Sequence, residues 1–488
     1  MHRAITTALL LLSTVAFIST SILYTYPLFF GCAFPSPSAS HPAPFRLLVL
    51  GDPQLEGDSS LPTTSHGEPP SLRSILRLPE VSEGSLYERM LAAQGQLKND
   101  IPLLFQLLRK RLDLFGNDYY LAHIYRTVSS LLEPTHVTVL GDLLGSQWIS
   151  DEEFERRGER YWGRVFSGAR RVDDEIAEGV WMSALGEDQR WKRRIINVVG
   201  NHDIGYGGDV DEHNMHRFER VFGKANFETR FSLPSADDKE APEIRIVNLN
   251  SLNLDVPVLH PDLQAETYDF INEIITTSRP VEDTTVATIL LTHLPLHKEA
   301  GVCVDGPMIK YYENERNGGV KEQNHLSYDL TKTILESIYG KSGDTGALAG
   351  GMGRDGIILT GHDHEGCDVW HHLPYSEDGY ERRWAAQRWN ETTVESRKAT
   401  TPGIREVTVR SMMGDFEGNA GLLSAWFDEG ERSWRFEYSS CKLGKQHWWW
   451  VVHVIDLVTI GSWTLIGITW GWKRRRRQSG VVGKAKIH

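Results

Sequence analysis

Ile195-Ile196-Asn197-Val198-Val199-Gly200-Asn201-His202-Asp203 is the stretch on which the reading of the fold turns. Its first five residues form a short, nearly continuous apolar run, the pattern of a strand buried on both faces. The run stops at a glycine, and a carboxamide, an imidazole and a carboxylate follow. The same grammar recurs along the chain. Phe45 to Leu50 leads into Gly51-Asp52, and Val137 to Leu140 into Gly141-Asp142. Val286 to Leu291 leads into Thr292-His293, and Ile357 to Thr360 into Gly361-His362-Asp363-His364. Ile244 to Leu249 reads as a further strand without such an ending. Strands alternating with helical stretches predict an α/β domain. In open α/β sheets, ligands bind beyond the carboxyl ends of the strands. The polar residues that follow these runs are therefore expected to converge at one edge. One polar residue at a strand end is ordinary; a recurrence in five strands points to a site.

The set has a coherent chemistry. Carboxylate and imidazole together suit divalent manganese, iron or zinc. Two such ions about 3.5–4 Å apart clamp the attacking and leaving oxygens of a phosphoryl displacement and activate water near neutral pH. Asp142 can bridge such a pair. His202 can give a proton to the leaving oxygen or stabilise charge on phosphorus, and Asp203 is placed to orient that imidazole.

The connections are less informative. Glu56 to Ser85 is rich in Ser, Pro and Gly and reads as a surface loop. Leu86 to Leu132 carries helical spacing, with a break expected at Gly116-Asn117. Asp151 to Phe166 reads as an exposed helix whose acidic first turn suits the helix dipole. Lys298 to Gln323 is a long polar loop. Gly343 to Gly356 is a glycine-rich connection lacking the Lys-Ser/Thr ending of a nucleotide-binding loop.

The chain has 488 residues and a formal net charge of −13. That balance argues against bulk nucleic-acid binding, which calls for a basic face. Ala4 to Phe30 is almost uncharged, follows Arg3, and is long enough to cross a bilayer. It reads as an uncleaved signal anchor in preference to a cleaved signal peptide. Trp448 to Trp472 is a second candidate span, with Trp448, Trp449 and Trp450 at one edge and Trp470 and Trp472 at the other, where tryptophan prefers the interface. His453 and Asp456 within it are costly in hydrocarbon. The basic run Lys473 to Arg477 marks the cytosolic side; a nuclear-import patch is the alternative reading of that run. The spans agree on a lumenal middle and two cytosolic ends. The expected layout is an anchor over 1–31, a lumenal catalytic domain over 45–445, a span over 448–472 and a cytosolic tail over 473–488. Lys484 and Lys486 then fit K-x-K-x-x, similar to the dilysine signal that retrieves membrane proteins to the endoplasmic reticulum. Cys303, Cys367 and Cys441 fall in an oxidising compartment, where disulfides persist, and Cys32 abuts the first span. Cys303 and Cys367 each follow a candidate metal motif closely, which brings them forward as a pair. Asn390-Glu391-Thr392 is a glycosylation sequon, so Asn390 is expected on a surface loop. Trp148, Tyr206, Trp389 and Trp426 are candidate sugar-stacking residues, although aromatics pack in cores more often.

Gly51-Asp52, Gly141-Asp142, Gly200-Asn201-His202-Asp203, His293 and Gly361-His362-Asp363-His364 resemble, in order and spacing, the calcineurin-like metallophosphoesterase family. The resemblance implies a β-sandwich flanked by helices. It also implies one metal held by Asp52, Asp142 and His364 and a second held by Asp142, Asn201, His293 and His362, with manganese the expected ion. One departure stands out. The family's first motif is Asp-x-His, and here it reads Asp52-Pro53-Gln54. Gln54 ligates through its oxygen, or water replaces it, or that metal is loosely held; the first is the expectation.

Gly116-Asn117-Asp118-Tyr119-Tyr120-Leu121 with His123-Ile124-Tyr125-Arg126, Ser146-Gln147-Trp148 and Gly205-Tyr206-Gly207-Gly208-Asp209 resemble the fungal branch that remodels glycosylphosphatidylinositol (GPI) anchors. That branch implies a phosphodiesterase removing ethanolamine phosphate from a mannose, the second being favoured, with GPI-anchored proteins as substrates. It further implies residence in the endoplasmic reticulum, cycling to the Golgi, and contacts with coat and cargo-receptor proteins. The alternatives are the same reaction on the first mannose, another lumenal phosphoesterase, and a catalytically weak cargo adaptor for export.

Overall fold

A computed structural model describes residues 2–38, 41–63, 86–179, 181–234, 241–374, 382–397 and 401–484. Two sheets face one another and carry helices on their outer sides. Among the described residues sixteen strands are numbered in chain order. The first sheet contains β1 (Phe45–Leu50), β2 (His136–Val139), β3 (Arg170–Arg171), β5 (Arg194–Asn197), β15 (Asn419–Asp428) and β16 (Ser433–Lys442), in the order β16-β15-β1-β2-β5-β3. The second contains β4 (Trp181–Ala184), β6 (Phe227–Ser232), β7 (Glu243–Leu249), β8 (Val286–Thr292), β11 (Asp355–Thr360), β12 (Cys367–His372), β13 (Ala385–Arg388) and β14 (Gly403–Thr408). Its order is β13-β12-β14-β11-β8-β7-β6-β4. A small ribbon, β9 (Ile309–Tyr311) with β10 (Val320–Gln323), lies apart. It occupies the segment expected to be an irregular loop.

Alternation along β1 shows how the layers form. Phe45, Leu47 and Val49 enter a core shared with Ile244, Ile289 and Leu359 of the second sheet. Leu48 and Leu50 point the other way, into a core shared with Leu121, Ile124 and Val128. Successive side chains of a strand face opposite sides, so a continuous apolar run serves two cores at once. β1, β2 and β5 are parallel, as are β7, β8, β11 and β14. Their carboxyl ends therefore come to the same edge of the sandwich.

The longer helices among the described residues are α1 (His2–Phe29), α2 (Leu86–Leu132), α3 (Asp151–Arg160), α4 (Glu212–Phe222), α5 (Pro261–Thr276), α6 (Tyr328–Ser337) and α7 (Gln446–Lys484). Two expectations are corrected here. α2 runs without a break through Gly116-Asn117. A Cβ at Gly116 would lie 1.8 Å from the Trp450 ring, so this glycine admits a neighbouring helix and does not end its own. The stretch after Ser150 is also not an exposed helix. Glu153, Phe154, Arg157 and Gly158 of α3 are buried, and a π-helical turn over Tyr161–Val165 follows.

Ala4–Phe29 and Gln446–Arg475 are each long and apolar enough to cross a membrane. The costly groups of the second are partnered by the first. Thr20 donates to Asp456 Oδ2 at 2.8 Å, the Tyr24 hydroxyl lies 3.1 Å from His453 Nε2, and Trp463 Nε1 donates to Ser13 Oγ at 2.8 Å. Polar side chains within apolar helices find partners in one another. Cys303 pairs with Cys367 as expected, and Cys32 pairs with Cys441. The second bond ties the end of α1 to the strand that leads into α7. Part of the Glu56 to Ser85 loop and Lys486 lie outside the described residues, and α7 ends at Lys484.

Candidate metal centre

The strand-end residues meet as the topology requires. One oxygen or ring nitrogen from each of Asp142, His293 and His362 lies within 4.8 Å of the others, and so do those of Asp52, Asp142 and His364. Asp142 is common to both groups, the place of a bridging carboxylate. Asp52, Gln54, Asp142 and His362 all have φ between 41° and 73°. This left-handed backbone is uncommon outside glycine, and such strain concentrates at functional sites. Two glycines at the strand ends are needed for close approach. A Cβ at Gly200 would lie 2.0 Å from the Asp142 amide nitrogen, and one at Gly141 would lie 2.3 Å from His293 Nδ1.

Hydrogen bonds fix which ring nitrogen faces the cluster. His293 Nδ1 donates to the Leu140 carbonyl at 2.7 Å, leaving Nε2 3.0 Å from Asn201 Oδ1 and 3.3 Å from Asp142 Oδ1. His362 Nε2 donates to the Gln323 carbonyl at 3.0 Å, which leaves Nδ1 for the cluster. Such second contacts orient metal-ligating imidazoles. Gln323 was not anticipated as a site residue; nothing in the sequence marks a carbonyl at the end of a polar segment.

Electrostatics show that the residues present suit cations. Asp52 is fully buried and its Oδ2 has no hydrogen-bond partner. An unpaired buried carboxylate oxygen is costly. Burial drives the Asp52 carboxyl well above its ordinary range, and neighbouring Asp142 pushes the same way against His293. Burial opposes charge on His293, yet the Asp142 and Asp52 carboxylates outweigh it and push that imidazolium up to about 9. Burial and the His293 charge take His362 down to about 3, and burial also lowers His364, so both rings are neutral and able to ligate. The cluster demands positive charge and offers neutral donors to hold it.

Gln54 reaches the cluster. Its Nε2 donates to Asp142 Oδ2 at 3.0 Å and lies 3.1 Å from His364 Nε2, so the nitrogen faces the cluster here, and ligation through the expected oxygen requires the amide to turn over. His202 stands at the mouth, with its side chain 38% exposed and Nε2 3.8 Å from Asp142 Oδ2.

The expectation that Asp203 orients His202 is corrected. Asp203 is fully buried, and both its oxygens accept backbone amides: Gly200 at 2.8 Å, Leu144 at 3.0 Å and Leu143 at 3.2 Å. It ties the turn after β2 to the turn after β5, and so sets the spacing of Asp142 and Asn201. Its carboxyl is raised by burial and by Asp142 to about 7, against three amide donors that favour the anion.

A cavity of about 570 Å³ opens beside the cluster. Gln54 and Glu56 line one side, Arg109, Lys110 and Asn117 of α2 another, and Gln446, His447 and Trp450 of α7 a third. Arg109, Lys110, Gln446 and His447 carry no signal in the sequence, because only the folded chain brings them beside Gln54. Of the candidate sugar-stacking residues, Trp148 is exposed, Trp389 and Trp426 are half-buried, and Tyr206 is buried against His362. None of them lines this cavity. Asn390 is exposed, as a glycosylation acceptor requires.

A helix-flanked β-sandwich with buried carboxylates and imidazoles at the carboxyl edge of its strands defines a metal-dependent phosphoesterase. No family model matched the chain. It is 34% identical to Protein TED1 of Saccharomyces cerevisiae over 405 residues, covering 72% of this chain and 78% of that protein. A Schizosaccharomyces pombe protein is 26% identical over 475 residues, covering 89% and 90%. Metallophosphoesterase 1 of Ailuropoda melanoleuca is 25% identical over 291 residues, covering 56% and 60%. The chain belongs to the metallophosphoesterase family that includes these proteins, and it is a hydrolase of phosphoric esters that binds divalent metal.

Proposed function

We propose that this protein is a two-metal phosphodiesterase of the endoplasmic reticulum membrane that removes ethanolamine phosphate from a mannose of GPI anchors. The observation that carries the reading is the cavity. It joins Gln54, beside the metal cluster, to the first turn of α7, where the chain enters an apolar helix. A site placed there suits a substrate held in a bilayer.

Asp52, Gln54, Asp142 and His364 would hold one ion, and Asp142, Asn201, His293 and His362 the other. A bound divalent pair supplies charge for the phosphoryl oxygens and lowers the pKa of water. The chain's own residues do the rest. His293 and His362 are held in single orientations by Leu140 and Gln323. His202, at the mouth, holds a proton at Nε2 for the oxygen that leaves phosphorus. Lys110, paired with Glu56, and Arg109, paired with Asp113, line the cavity wall with polar groups that can bond a glycan. Both disulfides favour a lumenal domain, and the basic run after α7's apolar part favours a cytosolic tail. Lys484 and Lys486 are its retrieval signal and its contact with coat proteins. The second mannose is preferred on the Asn117-to-Arg126 resemblance, and manganese on that of the family. GPI-anchored proteins are the substrates, and their export contacts follow from the remodelled anchor.

The test uses the full chain in detergent, stripped of metal and reloaded with manganese. Release of ethanolamine phosphate from a GPI glycan is measured, with Asp142→Asn as control. Manganese-dependent release that disappears in the variant supports the reading. Turnover of a simple phosphodiester without release from the glycan discards the GPI assignment and keeps the metal site.

A further inference from the structure

Helix α2 carries a second surface unconnected with its packing. Ile101, Phe105, Leu108, Leu112, Phe115 and Tyr119 are all exposed, from 37% at Tyr119 to 67% at Phe105. Their spacing alternates four and three residues, so at 3.6 residues per turn they fall on one line about 27 Å long. A continuous exposed apolar strip of that length is unusual on a water-facing surface. Arg109 and Arg111 sit roughly 80° to either side of it by the same geometry, and both are exposed. The Arg164 guanidinium stands 5.6 Å and 5.4 Å from the Phe115 and Tyr119 ring centres. An apolar line flanked by arginines is the form of a helix lying in a membrane interface. Arginine stems reach along such a surface to the headgroups.

The strip is continuous with the terminal helices. Gly116 receives the Trp450 ring, Tyr120 meets Trp449 at 6.5 Å, and His123 meets Tyr24 at 4.8 Å. The strip thus begins where α1 and α7 meet the domain. The opposite side of α2 presents Lys110 and Asn117 to the cavity.

We infer that α2 lies in the bilayer surface along the Ile101-to-Tyr119 line and holds the mouth of the metal cavity at the headgroups. Substrate then reaches the cluster from the membrane plane. The inference rests on the reading that α1 and α7 span a bilayer, and it deepens the proposed function by setting α2 between the bilayer surface and the metal cavity.

No free cysteine occurs among the described residues, all four being paired, so an added cysteine carries a single label. Phe105→Cys, Leu112→Cys, Ile460→Cys in α7 and Glu429→Cys at the far hairpin tip are labelled with an environment-sensitive fluorophore. Each full-length variant is reconstituted in phosphatidylcholine vesicles containing phosphatidylserine. Quenching by doxyl-labelled lipid and by aqueous iodide is then compared. Labels at 105 and 112 are expected to lose fluorescence to doxyl lipid as the label at 460 does, with the label at 429 answering only to iodide. Iodide quenching at 105 and 112, with lipid quenching intact at 460, overturns the inference and leaves the spans standing. Shielding of 105 and 112 from both quenchers overturns it in favour of a protein partner. Loss of lipid quenching at 460 overturns it together with the reading of the spans.

Discussion

Replacing Asp203 by asparagine separates two accounts of that residue. Its carboxylate accepts three backbone amides within a fully buried site. An asparagine keeps one acceptor oxygen and turns an amide donor toward at least one of those amides. A charge-assisted hydrogen bond is worth about 1.5–3 kcal/mol, and a buried donor left without a partner costs about 1–3 kcal/mol. The sum is about 4 kcal/mol. Roughly 400 folded residues at about 2.1 cal/mol/K each give an unfolding entropy near 0.84 kcal/mol/K, so melting falls by about 5 °C. The turns bearing Asp142 and Asn201 loosen together, and metal content measured by mass spectrometry falls with the melting temperature. His202→Ala keeps every backbone bond of the two turns, its own amide to Asp142 Oδ1 at 2.9 Å included, and is expected to leave melting and metal content unchanged while turnover drops. The double variant decides the matter. Stability losses confined to Asp203→Asn, with turnover losses that multiply, fit the bracing role. If Asp203→Asn melts like the parent, retains its metal, and costs nothing further once His202 is alanine, then Asp203 acts through the imidazole and the reasoning fails.

Three further outcomes are expected. Gln54→His supplies the imidazole that the family pattern has at this position, so titration with manganese should show tighter binding of the ion shared by Asp52 and His364; Gln54→Ala should show the reverse, and equal affinity in all three proteins would remove Gln54 from the ligand set. Gly200→Ala places a Cβ 2.0 Å from the Asp142 amide nitrogen; a displacement of about 1 Å at a reacting centre costs on the order of 10²-fold in rate, and a kcat within twofold of the parent would contradict the close approach. Cys441→Ser opens a link spanning 409 residues, and thermal or denaturant unfolding should show about 2–5 kcal/mol of lost stability; a parent-like curve would mean that the spans hold the ends together unaided.

Much of the site was legible before the fold. Strands buried on both faces must be apolar throughout, so their ends are sharp, and the ligands sit in the few positions just beyond. Phe45–Leu50 is read to the residue for this reason. The hairpin of β15 and β16 was not legible, because Asn419 to Lys442 mixes polar and apolar residues and its order comes from pairing across strands. Gly116 reads as a helix breaker on local propensity and is overruled by a ring from a helix more than three hundred residues away. Asp203 looks like the partner of the histidine beside it in sequence, whereas its partners are three amides. His453 and Asp456 look misplaced in a span until Tyr24 and Thr20 of the other helix are beside them.

The bond between Cys32 and Cys441 has a consequence for how the protein is lost from its membrane. A protease that cuts between Cys32 and β1 leaves the domain attached through α7, and one that cuts between β16 and α7 leaves it attached through α1. Cutting both linkers still leaves Cys441 of the domain joined to Cys32 at the end of α1. Shedding therefore takes two hydrolyses and a reduction, three events of two chemistries. The domain stays tethered for as long as that bond stays oxidised.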